Sequence, residues 1–370
     1  MIETPHELEA LLEEARVAGI AAVDTELVWE RTFYPALGVV QVGLSRERCL
    51  LVDAVALPDL LGFGFLSDSD VTKILHDAVQ DLTILKHVTG AVPKCIFDTR
   101  VAAGFVGLAS TISLRDLVRE LIGVELAKTE TRTDWLRRPL TETQIGYAED
   151  DVRYLPEIVE ILRCRAAERG LDAWLVEEMT ALDEPSIYEQ RDPRKEYRRV
   201  KGHGRLSRQD LAVLRELTAW RELVARSQDR PRGRVASDKL LLHLAQSHPA
   251  TTEDLANVRS LRSRDVAVFG GDLVRSVQCA LELSEEEWPQ GPPKSHYDRR
   301  FEARAKEAQQ LVSERSEEAG IDAALVATRA EVRGLMRQSE GEDILGNRLA
   351  RGWRHQLVGA DLAERFAEPG

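Results

Sequence analysis

The chain has 370 residues, more than one hydrophobic core usually organises, so two or three domains are expected. It has no uncharged apolar run long enough for a membrane span, and its acidic first residues lack the bases and apolar stretch of a secretory signal, which predicts a cytoplasmic protein without a membrane partner. Its four cysteines are scattered without CxxC pairing, so neither a zinc knuckle nor a disulfide framework is implied, and the net charge of −13 argues at first sight against a nucleic-acid partner.

The first 165 residues are predicted to form an α/β domain. A short helix is expected at residues 5–17, followed by apolar, strand-like runs at 20–29, 37–44 and 49–55. The apolar "VTKILHDA" and the helical "VQDLTILKHV" come next. Three closely spaced strands followed by alternating helices and strands indicate a mixed sheet.

Helical periodicity dominates from about Ser113 onward. In "TETQIGYAEDDVRYLPEIVEILRCRAAERG", Thr141 is a candidate N-cap, apolar residues recur at helical spacing, and Gly170 ends the pattern. Pro156 is expected to kink this helix.

The second half of the chain is predicted to be helical, in two pieces joined by linkers. A linker rich in Pro, Gly and charge begins at about residue 183, so the first domain is expected to span residues 1–190 and a small all-helical domain residues 203–286. Ser207 and Thr252 are expected to cap helices there. A second linker, "EEEWPQGPPKSH", leads to another helical region at residues 297–370.

Two carboxylates, Asp24 and Glu26, interrupt the first predicted strand, "AAVDTELVW". Residues two apart on a strand share a face, so the two negative charges would repel each other unless a cation lies between them. An exposed strand end or a turn explains the pair as well, because this acidic composition gives roughly ten acid-x-acid pairs by chance.

Acids also occur on two of the predicted helices. Asp81 opens the helix after "KILHDA", where an acid is favourable as a cap against the helix dipole in any case. In "GYAEDDVRYL", Tyr147 and Asp151 are four residues apart and share a helix face. Asp150 is three residues from Tyr147, and helical geometry alone does not exclude it.

Four carboxylates from a strand, the following helix and a late helix suit two bound divalent cations. Hard cations such as Mg²⁺ take oxygen ligands. Two of them about 4 Å apart stabilise both the attacking and the leaving oxygen of a phosphoryl displacement. Cations bound here would explain why Asp24 and Glu26 can share one face.

At these residues the sequence closely resembles the ribonuclease D family, of the tyrosine type of DEDD exonucleases, which has an RNase H-like fold. The family's Asp-x-Glu motif matches Asp24 to Glu26, its second motif ends at Asp81 after "LHDAVQ", and its Tyr-x-x-x-Asp motif matches Tyr147 to Asp151. Similar stretches at "YPALGVVQV", "FDT" and "KTETRTDWLRRPLT" extend the resemblance over residues 1–165. Residues 206–283 resemble the helicase-and-RNase-D C-terminal (HRDC) domain, and residues 297–370 a degenerate second copy.

The resemblance implies an α/β RNase H-like exonuclease domain with a mixed sheet, followed by two small all-α HRDC-like domains. It also implies two Mg²⁺ or Mn²⁺ ions held by four carboxylates, those of Asp24, Glu26, Asp81 and Asp151. Tyr147 would orient the attacking water, since a phenol with a pKa near 10 is a poor base at pH 7.

Substrate contacts are expected near the metal site. The candidates offer phosphate pairing or a stacking face, although each base could also be an ordinary surface charge; they are Lys128, Arg132, Trp135 and Arg138.

One position departs from the family pattern. The residue after Asp-x-Glu is usually Phe in this family, and here it is Leu27, which puts base stacking at that point in doubt. Trp29 or Phe33 could substitute for it. His76 is left out of the site, because a His at a strand end more often makes a local hydrogen bond.

The function implied is that of a 3′-to-5′ exoribonuclease that releases nucleoside 5′-monophosphates. Its expected partners are RNA 3′ ends, such as those of tRNA precursors, and a monomer is expected. A DNA exonuclease of the same superfamily is the alternative, because no motif here reports contact with the ribose 2′-OH. A non-catalytic RNA-binding scaffold is disfavoured, since all four acids and the tyrosine are present.

One segment is basic on an otherwise acidic chain. Residues 191–236 hold 14 Lys and Arg against 6 Asp and Glu, which leaves 36 against 57 elsewhere. Such a surplus is explained either by a solvated face or by a surface that binds the RNA backbone.

Overall fold

The computed structural model describes residues 1–58, 60, 63–127, 133–258, 261–291, 299–337 and 346–366. It divides into two compact units. The first contains Met1–Leu27, Leu37–Glu189 and Tyr297–Gly370, and the second contains Val28–Ala36 and Gln190–His296. The predicted division into three domains at residues 1–190, 203–286 and 297–370 stays a prediction. No helix in the described ranges is long and apolar enough to cross a membrane.

The first unit is built on a five-stranded sheet with the order β3-β2-β1-β4-β5. The strands are β1 Ile20–Val28, β2 Ala36–Gly43, β3 Cys49–Asp53, β4 Thr72–Leu75 and β5 Ile96–Asp98. β3 runs antiparallel to β2, whereas β4 runs parallel to both β1 and β5, so the sheet is mixed as the sequence predicts. β1 is central, and its residues Ala21, Ala22 and Val23 are fully buried because both faces of the sheet are covered.

The helices of the first unit before residue 190 include the ones predicted at 5–17, at "VQDLTILKHV" and within 141–170, and two that were not predicted, at Thr99–Phe105 and Asp172–Ala181. They are α1 Pro5–Ala18, α2 Val79–Thr89, α3 Thr99–Phe105, α4 Leu114–Ile122, α5 Glu142–Arg153, α6 Leu155–Glu168 and α7 Asp172–Ala181. Thr141 caps α5 as predicted, and its hydroxyl accepts a hydrogen bond from the N–H of Gln144. Pro156 does more than kink the helix. α5 stops at Arg153, and α6 restarts at Leu155 with the proline in its first turn, where the missing N–H costs nothing.

The second unit is helical. Its helices are α8 Arg208–Ser227, α9 Arg232–Val235, α10 Asp238–Ser247, α11 Thr252–Ala256 and α12 Ser263–Leu281, preceded by short 3₁₀ turns at Pro193–Arg199 and His203–Arg205. Ser207 caps α8 as predicted. The predicted cap of α11 is wrong by one residue, because Thr251 rather than Thr252 accepts the N–H of Asp254 and completes a capping box.

The C-terminal helices share a hydrophobic core with the sheet region of the first unit. They are α13 Arg299–Ala319, α14 Ala323–Val326, α15 Arg329–Met336, α16 Gly352–Arg354 and α17 Ala360–Phe366. Trp353 of α16 packs against Phe105 of α3 with ring centroids 4.9 Å apart. Arg354 donates two hydrogen bonds of 2.5 and 2.7 Å to Glu178 of α7, and both side chains are largely buried. The C-terminal helices thus contribute to the hydrophobic core of the first unit.

Candidate active site

Two of the predicted acids come from the central strand. Asp24 and Glu26 are two residues apart on β1, so they share one face of the sheet. Carboxylate oxygens of Asp24, Glu26 and Asp151 all lie within 4.8 Å of one another. The structure thus brings three of the predicted metal ligands, from β1 and α5, into one partly buried group.

The fourth acid, Asp81, lies in the first turn of α2 and is 9% exposed. Its Oδ1 accepts a hydrogen bond from the hydroxyl of Thr25, the residue between the two acids of β1. In the described part of the chain, Asp81 stands outside the group of three. Its charge nevertheless contributes to raising the pKa of Asp24, so the four acids form one electrostatic cluster.

Tyr147 lies one helical turn before Asp151 on α5, and the two side chains are close enough for each to shift the pKa of the other. The ring packs near the buried ring of Trp135, with centroids 6.1 Å apart. Oδ2 of Asp151 is buried without a hydrogen-bond partner among the described residues. A buried acceptor of this kind is costly unless a ligand or a cation satisfies it.

The neighbouring Asp150 has a different role. Its Oδ1 accepts a hydrogen bond of 2.9 Å from Nε of Arg153, which also pairs with Glu149. Of these two adjacent acids, Asp151 belongs to the group of three, whereas Asp150 is paired with Arg153.

Burial and the charges of neighbouring acids raise the pKa of all four acids. Loss of solvation is the largest cause, and it raises the pKa of Glu26 to about 8, that of Asp151 to about 7 and that of Asp81 to about 6. Burial, with the charges of the other three acids, raises the pKa of Asp24 well above its usual value. Acids arranged in this way hold their charges at neutral pH only with a positive partner, so the cluster fits a bound divalent cation.

Sequence reasoning missed two residues that support the acids. Thr25 holds Asp81, as described above. Gln41 of β2 is fully buried, its Nε2 lies 3.5 Å from Oδ2 of Asp24, and its Oε1 has no partner among the described residues. A glutamine inside the apolar run "LGVVQVG" was a signal that could have indicated it.

Of the four expected substrate contacts, the structure describes Trp135 and Arg138. Lys128 and Arg132 lie outside the described residues. Trp135 is only 2% exposed, so it has no open face on which a base could stack. Arg138 donates hydrogen bonds of 2.6 Å to both oxygens of Asp53, which commits its guanidinium to a structural ion pair.

The aromatic residues proposed to replace the missing phenylalanine differ in exposure. Trp29 is 52% exposed. Phe33 is engaged within the second unit, where the guanidinium of Arg232 lies 4.4 Å from its ring centroid. Both ring nitrogens of His76 are engaged by partners distant in sequence, with Nδ1 3.0 Å from the Thr99 hydroxyl and Nε2 3.0 Å from the backbone carbonyl of Ile112.

A cavity of about 250 Å³ adjoins the acids. Tyr147, Asp150 and Asp151 line it on the α5 side, and Leu114 and Arg115 line it from the start of α4. Such a mixed lining, with an arginine opposite acids and a phenol, can hold part of a nucleotide beside the carboxylate group.

Comparison with known proteins agrees with this geometry. A family model described as 3′-5′ exonuclease matches residues 1–166, and the HRDC domain model matches residues 210–277. Ribonuclease D of Desulfotalea psychrophila is 37% identical over 359 residues, which cover 97% of this chain and 96% of that protein. The chain belongs to the ribonuclease D family. Ribonuclease D of Pseudomonas paraeruginosa is 41% identical over 281 residues, 76% of this chain and 74% of that protein.

A solved structure supports the same family. Escherichia coli RNase D, described as an exoribonuclease involved in structured RNA processing, superposes with a TM-score of 0.84 at 29% identity and covers 100% of this chain and 99% of its own. The catalytic core of RRP6 from Trypanosoma brucei, at 23% identity and a TM-score of 0.59, covers 76% of this chain and 79% of its own and shows a shared fold. This ribonuclease D family member is therefore a hydrolytic 3′-to-5′ exoribonuclease with an RNase H-like exonuclease domain and an HRDC helical domain.

Proposed function

We propose that the enzyme trims the 3′ ends of structured RNAs, tRNA precursors among them, and releases nucleoside 5′-monophosphates. The observation that carries this proposal is the group formed by Asp24, Glu26 and Asp151, with carboxylate oxygens within 4.8 Å of one another beside Tyr147. The described role of the Escherichia coli relative in structured RNA processing supports the substrate class. We also propose that the enzyme acts in the cytoplasm and as a monomer.

Four residues are proposed to hold two Mg²⁺ or Mn²⁺ ions, namely Asp24, Glu26, Asp81 and Asp151. When bound, such cations lower the pKa of a water ligand and offset the charge that develops on the phosphate oxygens. The chain contributes the geometry. β1 fixes two carboxylates on one face, Thr25 holds Asp81, and Oδ2 of Asp151, which has no partner among the described residues, is available as a ligand.

Tyr147 is proposed to position the attacking water. Burial, followed by the charge of Asp151, raises the pKa of its phenol above its usual range, so the hydroxyl stays protonated at neutral pH. A protonated phenol can donate to Asp151 and accept from a water, but it is a poor proton acceptor from that water. We therefore assign Tyr147 orientation and not deprotonation.

Three basic residues are proposed to contact the substrate. Lys128 and Arg132 keep this role as a proposal, since both are basic and both precede α5 in the family-like stretch. Arg115 takes the place of Trp135 and Arg138 as a proposed substrate contact, because its exposed side chain lines the cavity.

The test is incubation of the full chain with 3′-extended RNA and with matched DNA, in Mg²⁺ or in EDTA, with the products resolved by length. We expect a ladder of shortened RNA and free 5′-monophosphates in Mg²⁺ only. A ladder on DNA alone would support the DNA exonuclease, and none on either substrate would refute both activities.

A matched pair of variants tests the site itself. Asp151→Asn should be inactive, because it removes a carboxylate from the group of three. Asp150→Asn makes the same chemical change at the adjacent residue and should remain largely active, since its carboxylate is paired with Arg153. Loss of activity in the second variant and not in the first would show that the ligand has been assigned to the wrong residue.

A further inference from the structure

The start of α2 depends on a partner from elsewhere in the fold. This helix carries Asp81 in its first turn, and its N-cap residue is Ala78, whose methyl group cannot accept a hydrogen bond. The residue before it, Asp77, has a φ of 69°, in the left-handed region that residues other than glycine rarely adopt. Because helix ends fray unless they are held, the position of Asp81 depends on the contacts that fix this turn.

The carboxylate of Asp98, at the end of β5, fixes the turn. Its Oδ1 accepts a hydrogen bond of 3.1 Å from the N–H of Asp77, and its Oδ2 accepts one of 2.8 Å from the N–H of Ala78. The sheet brings these groups together, because Asp98 pairs with Leu75, two residues before Asp77, across the parallel strands β4 and β5. Asp98 is only 3% exposed, and burial strengthens hydrogen bonds to a charged acceptor.

The same carboxylate caps α3. Its Oδ1 accepts the N–H groups of Arg100 and Val101 at 2.9 and 3.3 Å, and the backbone of Asp98 is extended, as an N-cap requires. One buried side chain therefore holds four backbone N–H groups, two ahead of α2 and two at the start of α3. Asp98 is the middle residue of the family-like stretch "FDT", which the metal ligands and Tyr147 do not explain.

Asp81 is thus held at two points. The hydroxyl of Thr25 donates to its Oδ1 and orients the carboxylate, whereas Asp98 fixes the backbone turn that leads to it. Residues that orient a metal ligand without touching the ion commonly tune the affinity for the metal.

We propose that Asp98 is a positioning residue of the metal site, which sets the place of Asp81 among the acids through the backbone of Asp77 and Ala78. The inference rests on the proposed function, in which Asp81 is a metal ligand. It assigns to Asp98 no contact with the ion or the substrate, because its carboxylate oxygens are already used by backbone N–H groups.

The charge of Asp98 has to be separated from its hydrogen bonds. Burial is the main cause of the raised pKa of Asp81, and the charges of Asp77 and Asp98 add to it. The Asp77 carboxylate is exposed and pairs with Arg100. Asp77→Asn therefore removes a charge beside Asp81 but keeps the backbone N–H that Asp98 accepts, and asparagine tolerates the left-handed backbone.

The test measures binding of Mn²⁺ and of Mg²⁺ to the full chain by calorimetry, in the absence of RNA. Two variants loosen the turn ahead of α2 and keep a good N-cap for α3. Asp98→Asn has nearly the same shape but one acceptor oxygen, and Asp98→Ser has a shorter side chain with a single hydroxyl. Thermal unfolding in EDTA establishes that each variant is folded, and either of the two decides the test.

Two control variants accompany them. Asp77→Asn is the control for charge. Asp183→Asn is the control for lost backbone hydrogen bonds, because the Asp183 carboxylate accepts the N–H groups of Cys95 and Ile96 at the other end of β5.

We expect the Asp98 variants to bind Mn²⁺ roughly 10–100-fold more weakly than the wild-type protein, the range for residues that orient a metal ligand. The Mg²⁺ concentration that gives half-maximal RNA hydrolysis should rise by a similar factor. Asp77→Asn and Asp183→Asn should bind within about threefold of wild type.

Three results would overturn the inference. Asp98 variants that bind as tightly as wild type would overturn the positioning role alone and leave the proposed function standing. An equal loss in either control would reduce the effect to charge or to general stability. A wild-type protein that binds neither ion would overturn the proposed metal ligands, and the role of Asp98 with them.

Discussion

Asp24→Asn is expected to abolish hydrolysis and, without metal, to make the folded protein more stable. Asp24 lies in a cluster with three other acids, and burial together with their charges raises its pKa. Asparagine keeps the shape and the acceptor oxygen of the side chain but removes the charge. The variant thus loses the negative charge that a metal ion would bind, while it keeps the side-chain shape that packs in the folded protein.

The magnitude follows from the spacing of the acids. Two unit charges 4.8 Å apart repel each other by ~3.5 kcal/mol at an effective dielectric constant of about 20. Protonation relieves part of this repulsion, and partial exposure screens more of it. We therefore expect a gain of about 1–3 kcal/mol in the free energy of unfolding of the metal-free variant at pH 8.

The pH dependence has a definite sign. The pKa of Glu26 is raised to about 8 and that of Asp151 to about 7, so the folded protein binds protons that the unfolded chain has already lost. The free energy of unfolding of the metal-free protein should therefore fall as pH rises from about 4.5 to 8. The advantage of Asp24→Asn should be smallest at pH 5 and largest at pH 8.

Urea unfolding at pH 5 and pH 8, in EDTA and in Mg²⁺, measures each of these effects. Mg²⁺ should stabilise the wild-type protein more than the variant, because the variant lacks one ligand. Asp150→Asn is the control, since it removes a neighbouring charge that is paired with Arg153. A variant less stable than wild type in EDTA at pH 8, or one with near-normal hydrolysis at saturating Mg²⁺, would refute the reasoning.

Three further substitutions test separate parts of the structure. Tyr147→Phe should lower kcat by at least about 100-fold by removing the hydroxyl, while urea unfolding changes by less than about 1 kcal/mol; an unchanged kcat would remove Tyr147 from the site. Arg354→Ala should lower the free energy of urea unfolding by about 3–5 kcal/mol, because it leaves Glu178 buried without its partner. Arg275→Ala breaks an exposed pair and should cost less than about 1 kcal/mol. Equal costs would contradict a buried structural role for the Arg354–Glu178 pair. Asp229 has a φ of 44°, and its carboxylate accepts hydrogen bonds from two backbone N–H groups of the segment 28–36. In thermal unfolding, Asp229→Ala should destabilise the second unit by about 1–3 kcal/mol and Asp229→Asn by less. The reverse order would count against the capping role of Asp229.

The parts of the site that could be predicted from sequence are those fixed by local geometry. Period-two alternation places Asp24 and Glu26 on one face of a strand, and a four-residue spacing places Tyr147 and Asp151 on one face of a helix. The cap at Thr141 is equally local, because its partner Gln144 lies three residues away. Such features need no knowledge of the tertiary fold.

The parts that could not be predicted depend on partners distant in sequence. Arg138 has the charge and the hydrogen-bond donors of a phosphate contact, but its partner Asp53 lies 85 residues earlier in the chain. Trp135 offers a stacking ring, yet the fold buries it. The contact between Thr25 and Asp81 spans 56 residues, and nothing in either local pattern indicates it.

The C-terminal region shows how such distant contacts change an experiment. Its helical periodicity predicts a separate domain, from which one would expect a chain ending near Glu189 to retain its fold. In the structure Leu325, Trp353 and other apolar residues of this region share one core with Leu175 and Met179. Truncation at Glu189 would expose that core, so a loss of RNA binding would report unfolding as readily as loss of an RNA contact. Point substitutions of exposed basic residues in the full chain, such as Lys201→Ala in the segment 191–236, keep the core intact and can attribute a change in the salt dependence of RNA binding to a single positive charge.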